Sequence, residues 1–251
     1  MSDAAYPRLS RAPIAEAAIE IRATISVPVP EDAYDKFREA VAERYPTHNA
    51  MRFLAPHFHI ESESEVRTET AFSRVGVRLE SADKKTVVQA KNDGLVVSRL
   101  PPYESWETLI AEIRSLWAVY FGVFAPSTVM RLGVRYINRI DLEYVDGRID
   151  FDTVFTAAPQ IPRGLPQTLE SFATRILMPI TTHQATLAIV QALESPAVDG
   201  SHFAVLDLDA FTNTLMKPDT DDMWQQLERL REVKNMAFFE SLLRPIWEKY
   251  L

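Results

Sequence analysis

The chain has no cysteine among its 251 residues. This excludes disulfides, thiolate metal sites and cysteine nucleophiles, and it fits a reducing compartment, the cytoplasm by default. Glycine is nearly as scarce: the seven present, Gly76, Gly94, Gly122, Gly133, Gly147, Gly164 and Gly200, never cluster. A Walker loop or a dinucleotide-binding fingerprint needs grouped glycines so that backbone amides can approach phosphate oxygens, and both are therefore excluded. Long apolar runs are missing as well. The most apolar stretch, Leu116 to Ala125, is far short of a bilayer span. The opening Met1-Ser2-Asp3-Ala4-Ala5-Tyr6 joins no basic region to an apolar run, so neither an export signal nor a membrane anchor is expected.

No block of basic residues compensates for an acidic balance of 35 Asp and Glu against 27 Lys and Arg, a net charge of −8. The charge is spread evenly, with 15 bases and 18 acids in residues 1–125 and 12 bases and 17 acids in residues 126–251. Binding to nucleic acid by neutralising many phosphates is therefore the least favoured of the functions considered. Signatures of catalysis are absent too. His48, His183 and His202 stand at no recognisable spacing to one another or to a serine nucleophile, and no metalloprotease or nucleophile-elbow motif occurs. No catalytic residue, cofactor or metal is assigned.

What is present is a foldable globular composition, 47% apolar and 25% charged. From Glu16 to Ile25 the apolar residues Ala17, Ile19, Ile21, Ala23 and Ile25 alternate with Glu16, Ala18, Glu20, Arg22 and Thr24, the period of a strand buried on one face. Pro28 and Pro30 stop it. Tyr34, Phe37, Val41 and Tyr45 then recur at helical spacing up to Pro46. Apolar segments at Met51–Glu61, Phe72–Glu80, Thr86–Ala90 and Leu95–Leu100, divided by turn-like stretches, predict a meander of strands. After Pro101-Pro102 comes the clearest helix, with Trp106, Leu109, Ile110, Ile113, Leu116, Trp117 and Tyr120 in one apolar stripe.

A long strand is predicted over Val129–Tyr144. A helical turn follows near Phe151–Phe155, then an exposed, mobile loop over Ala157–Gln167 and strands near Leu169–Met178, Gln184–Leu193 and His202–Phe211. A final helix is expected to be capped by Asp219 or Thr220 and kinked or ended by Pro245. The expected fold is α+β: an extended, largely antiparallel sheet from two fused halves, 1–125 and 126–251, packed as one globular unit with helices on one face. The element order resembles that of the TATA-box-binding protein, a likeness of fold that implies no shared function.

The segment Arg131 to Ile140 carries the sharpest chemical signal. Period-two geometry puts Arg131, Arg135 and Arg139 on one face, about 13 Å apart along the strand, with Leu132, Val134, Tyr136 and Ile140 on the other. Each guanidinium offers a planar fork suited to carboxylate or phosphate. Glu16 and Glu20 on the first strand, and Asp207 and Asp209 on a later one, are placed to join the same face. Two readings follow: a ladder of cross-strand ion pairs, or arginines left free to floor a site for an anionic ligand or acidic peptide. His57-Phe58-His59 with Glu61 has a spacing that would chelate a metal, although strand histidines are far more often surface residues. The polar, acidic segment Glu61 to Thr70 reads as a solvated loop or an acidic arm for a basic partner. Tyr103-Glu104-Ser105-Trp106 reads as a helix entrance.

Five segments carry a resemblance: Pro13 to Ile21, Pro102 to Glu107, Arg131 to Ile140, Leu206-Asp207-Leu208-Asp209, and Leu230 to Glu240. On them the chain resembles a sporadically distributed family of prokaryotic proteins of unknown function, of about this length. That resemblance brings no activity, cofactor or catalytic residue. The family's patchy distribution resembles that of accessory genes of mobile defence or toxin–antitoxin-type systems, which implies a partner-binding role. The leading expectation is a non-catalytic binding protein that recognises a partner protein or small anionic ligand through Arg131, Arg135 and Arg139. The alternative is a metal-dependent enzyme acting on phosphorylated or polyanionic substrates, with Glu16, Glu20, Asp207 or Asp209 holding the metal.

Overall fold

A computed structural model describes residues 6–251 apart from 27, 31, 63–64, 146–147, 168 and 195–199; at 54–72 and 145 the backbone alone is described where it is described at all. The first half runs β1 (Ile14–Ile25), α1 (Ala33–Val41), β2 (Thr47–Ser62), β3 (Glu65–Glu80), β4 (Thr86–Lys91), β5 (Gly94–Arg99) and α2 (Trp106–Phe124). The second runs β6 (Pro126–Leu142), the short strands β7 (Tyr144–Val145) and β8 (Arg148–Ile149), a 3-10 turn at Phe151–Thr153, β9 (Ala173–Ile180), a second such turn at Thr181–His183, β10 (Ala185–Leu193), β11 (His202–Thr212), α3 (Asp221–Ser241) and α4 (Arg244–Glu248). Nine strands form one sheet in the order β2-β3-β4-β5-β1-β6-β11-β10-β9, every neighbour antiparallel, while β7 and β8 pair separately. The fold is α+β with a large antiparallel sheet.

Alternation in the sequence becomes sidedness in the sheet. Ala17, Ile19 and Ile21 of β1, Leu132, Val134 and Ile140 of β6, and Ala204, Leu206, Leu208 and Ala210 of β11 are completely buried. They share one hydrophobic cluster with Trp106, Ile113, Leu116, Trp117 and Tyr120 of α2 and Leu227, Leu230 and Val233 of α3. The period-3.6 stripe of α2 is thus core, as its spacing predicts. Ser105 caps that helix, its Oγ accepting a hydrogen bond from the Thr108 amide at 3.1 Å. At the other end Ala125 takes a left-handed conformation before Pro126 opens β6. Gly94 makes the turn into β5 possible: its φ is +143°, and a Cβ there would lie 2.1 Å from the Ile21 carbonyl oxygen.

Four local expectations are corrected. The Glu61–Thr70 segment is not a loop over its length: backbone pairs such as His57 with Glu69 and His59 with Arg67 carry the β2–β3 ladder through it. A ladder is built from peptide groups, which polar residues supply as well as apolar ones. Pro245 does not kink α3. The chain extends at Leu242 and Leu243, and Pro245 occupies the first turn of α4, where its missing N–H costs nothing. The long strand ends at Leu142, and β9 begins at Ala173 rather than near Leu169. Among the described residues no helix is long and apolar enough to cross a membrane.

Candidate functional site

The arginine row lies at the middle of the sheet, on β6 between β1 and β11. A bulge sets its phase. Arg22 pairs with Arg131 but Ala23 pairs with Val129, so Met130 is the extra residue, and Val129 and Leu132 both point into the core. Arg131, Arg135 and Arg139 then fall on the face opposite Leu132, Val134, Tyr136 and Ile140.

Gly133 lies beneath the first arginine. A Cβ at this position would sit 2.4 Å from Arg131 Nη1, so the bare backbone leaves the channel along which that side chain lies. Glu20 is directly across from Gly133 on β1, and Phe211 is across from it on β11. Arg131 bridges the two flanks: one nitrogen donates to Glu20 and Nη2 donates to Asp209 at 2.9 Å. Its guanidinium also stands 4.5 Å from the centroid of the Phe211 ring. Glu20 lies 3.8 Å from Arg22, which in turn binds Asp93 at 3.0 Å. A chain of alternating charge, Asp93, Arg22, Glu20, Arg131, Asp209, therefore crosses from the β4–β5 turn to β11.

The row opens toward its far end. The Arg131 side chain is only 18% exposed, against 51% for Arg135 and 42% for Arg139. Arg135 grips Asp207 with both forks, Nε to Oδ1 at 2.9 Å and Nη2 to Oδ2 at 2.6 Å, the bidentate geometry that makes an arginine pair directional. That bond, more than any other influence, raises the pKa of Arg135. Arg139 donates to Glu194 through Nε alone, at 2.7 Å, and its guanidinium lies 3.6 Å from the Phe203 ring centroid. Glu16 is near enough to Arg135 to favour its charge but forms no ion pair among the described residues. Burial raises the pKa of Asp209, opposed by Arg131 and Arg135 and reinforced by Asp207 and Glu20.

Six of the seven expected site residues are thus joined in ion pairs, and the seventh, Glu16, lies beside them. Sequence reasoning missed Glu194, Arg22, Asp93, Phe203, Phe211 and Gly133. It also missed a second polar cluster, on the helix side of β6. There Tyr103 Oη and Tyr136 Oη are 2.7 Å apart, Lys234 Nζ stands 3.8 Å from the Tyr136 ring, and Trp106 Nε1 donates to Glu228 at 2.8 Å. Arg231 lies 3.6 Å from both Glu107 and Glu228. Burial pushes the Tyr103 hydroxyl up to about 12. Three distant stretches meet at this point, Tyr103 to Glu107, Tyr136, and Glu228 to Lys234.

The side chains of His57, His59 and Glu61 lie outside the described residues. Among the described residues no group of three or more His, Asp or Glu is arranged to hold a metal. His48 approaches Arg38, His183 approaches Glu232, and His202 stacks on Tyr144 at 4.7 Å between ring centroids. The sequence matches no family model and none of the curated proteins with which it was compared.

Proposed function

We propose that this protein is a non-catalytic binding protein whose partner, another protein, docks on the sheet face bearing Arg131, Arg135 and Arg139, as an accessory of a larger system. The observation that carries this reading is the gradient along the row. Arg131 is committed to Glu20 and Asp209, whereas Arg135 and Arg139 stand half-exposed, each held in fixed orientation by a single carboxylate, and Arg139 lies over the Phe203 ring. A pre-ordered arginine over an aromatic ring loses little side-chain freedom on docking, and such pairs recur as binding hot spots. Arg139 supports a second occupant, a small carboxylate or phosphate group, because its two Nη nitrogens take no protein acid among the described residues.

In the enzyme alternative, of the four acids Glu16, Glu20, Asp207 and Asp209, the last three would have to leave their arginines before holding a metal, and three ion pairs oppose that. We read the halves 1–125 and 126–251 as repeats of one unit with their helices on a common face. The sheet order supports this, since each half opens on a central strand, β1 or β6, crosses to an outer edge at β2 or β9, and returns strand by strand to the centre.

The test is affinity purification from the native host with the wild-type chain and with an Arg135→Ala/Arg139→Ala variant shown to be folded, the contents read by mass spectrometry. A protein recovered stoichiometrically with the wild type and lost with the variant is the expected result. A phosphorylated metabolite lost instead would move the assignment to an anionic ligand. Identical contents would refute the reading and make the row scaffold.

A further inference from the structure

Among the described residues the sheet ends at β9, which pairs with β10 on one side and has no strand on the other. Which backbone groups face outward follows from one hydrogen bond. The Leu193 amide donates to the Phe172 carbonyl at 3.1 Å, so the 172/193 pair is a hydrogen-bonded one. In an antiparallel ladder such pairs alternate with non-bonded ones. Thr174, Ile176, Met178 and Ile180 therefore turn their peptide groups toward β10, and Ala173, Arg175, Leu177 and Pro179 turn theirs to the open edge. All four of the latter are exposed. Proline, which has no N–H, stands at a position whose donor would face solvent.

Protection on this edge is thin. Within Ala173–Ile180 the only charge is Arg175, and adjacent residues leave large apolar side chains exposed on both faces, Ile176 at 48% and Leu177 at 54%. Exposed edges of this kind recruit further strands. Identical strands meeting antiparallel across a two-fold axis can adopt only registers in which outward residue meets outward residue. Placing Leu177 on the axis leaves Ala173 without a strand partner, and placing Arg175 there sets two guanidiniums face to face. With Ile176 facing Ile176, Arg175 and Leu177 exchange bonds twice and each Ala173 amide meets a Pro179 carbonyl, about six backbone bonds in all.

We propose that β9 is a homodimerisation edge: two copies join β9 to β9 about a two-fold axis at Ile176, continuing the nine-stranded sheet into one of twice the width. The proposal is independent of the reading of the arginine face. A single strand pair buries an area at the low end for protein interfaces, so the association is concentration-dependent.

Sedimentation equilibrium of the full chain over a hundredfold concentration range should show a mass rising from 28.5 kDa toward twice that value. Ile176→Lys and Ile176→Glu, each shown by thermal unfolding to remain folded, should each weaken dimerisation at least tenfold by setting like charges across the axis. An equimolar mixture of the two should regain it. A wild type that stays monomeric at every concentration overturns the proposal. So does a mixture no more dimeric than its components, or a ladder of higher oligomers, which would mean that β9 meets the opposite edge, β2, of the next copy.

Discussion

Replacing Arg131 by methionine isolates the contribution of the buried end of the charged row. Methionine keeps an unbranched stem over Phe211 while removing the guanidinium that bridges Glu20 and Asp209. Two charge-assisted hydrogen bonds are lost, each contributing about 1.5–3 kcal/mol when buried. The carboxylates are one-quarter exposed, which screens part of this. Adding roughly 0.5–1 kcal/mol for the cation over Phe211, the expected loss is about 2–4 kcal/mol at pH 7.5, and a chain of this size should melt about 4–8 °C lower. The pH dependence distinguishes lost attraction from simple misfit. Asp209 already has a pKa raised above its ordinary 3.8 by burial, with Arg131 the chief opposing influence. Without Arg131 that pKa climbs further, so the folded variant holds a proton that the unfolded chain releases. Its stability therefore falls as pH rises through the window between 3.8 and the raised value, and recovers as pH falls through it. Urea titrations at pH 7.5 and pH 5 should show the gap between variant and wild type narrowing at the lower pH. Adding Asp209→Asn should restore a substantial share at pH 7.5. A gap below about 0.5 kcal/mol, or one equal at the two pH values, would refute the bridging role.

The same network predicts a coupled effect. Gly133→Ala should displace the Arg131 guanidinium, the flexible end of a side chain, rather than the backbone, so its cost of about 1–2 kcal/mol comes from the lost pairs. Combined with Arg131→Met, it should add almost nothing in chemical denaturation. Ser105→Ala removes the acceptor that caps α2, and thermal unfolding should report a loss of about 1 kcal/mol.

The strands and helices that position the row were legible because burial on one face leaves a period in the sequence. Ala17 to Ala23, Leu132 to Ile140 and Leu206 to Ala210 all show it, and the same parity places Glu20, Asp207 and Asp209 with the arginines. What stayed hidden has no period. Glu194 follows the end of β10 and reaches Arg139 across β11. The bulge at Met130 shifts parity without a distinguishing residue, and Gly133 looks like an ordinary weak point in a strand until Arg131 is seen lying over it. The Glu61–Thr70 ladder escaped because pairing there left no apolar alternation, and Tyr103, Tyr136 and Lys234 meet only once three distant segments pack.

The central seam also bears on how the chain folds. Glu20 and Arg131 are 111 positions apart, so joining β1 to β6 closes a long loop whose entropy must be lost before the seam returns any contact energy. The β2–β5 meander and the β9–β11 meander close much shorter loops and are expected to form earlier. The seam is then the last joint to set and, on the reverse path, the first to part. Arg131→Met should accordingly leave the refolding rate nearly unchanged and appear in stopped-flow traces as faster unfolding. On this view the charged row acts as a latch that governs how long the folded molecule survives once formed.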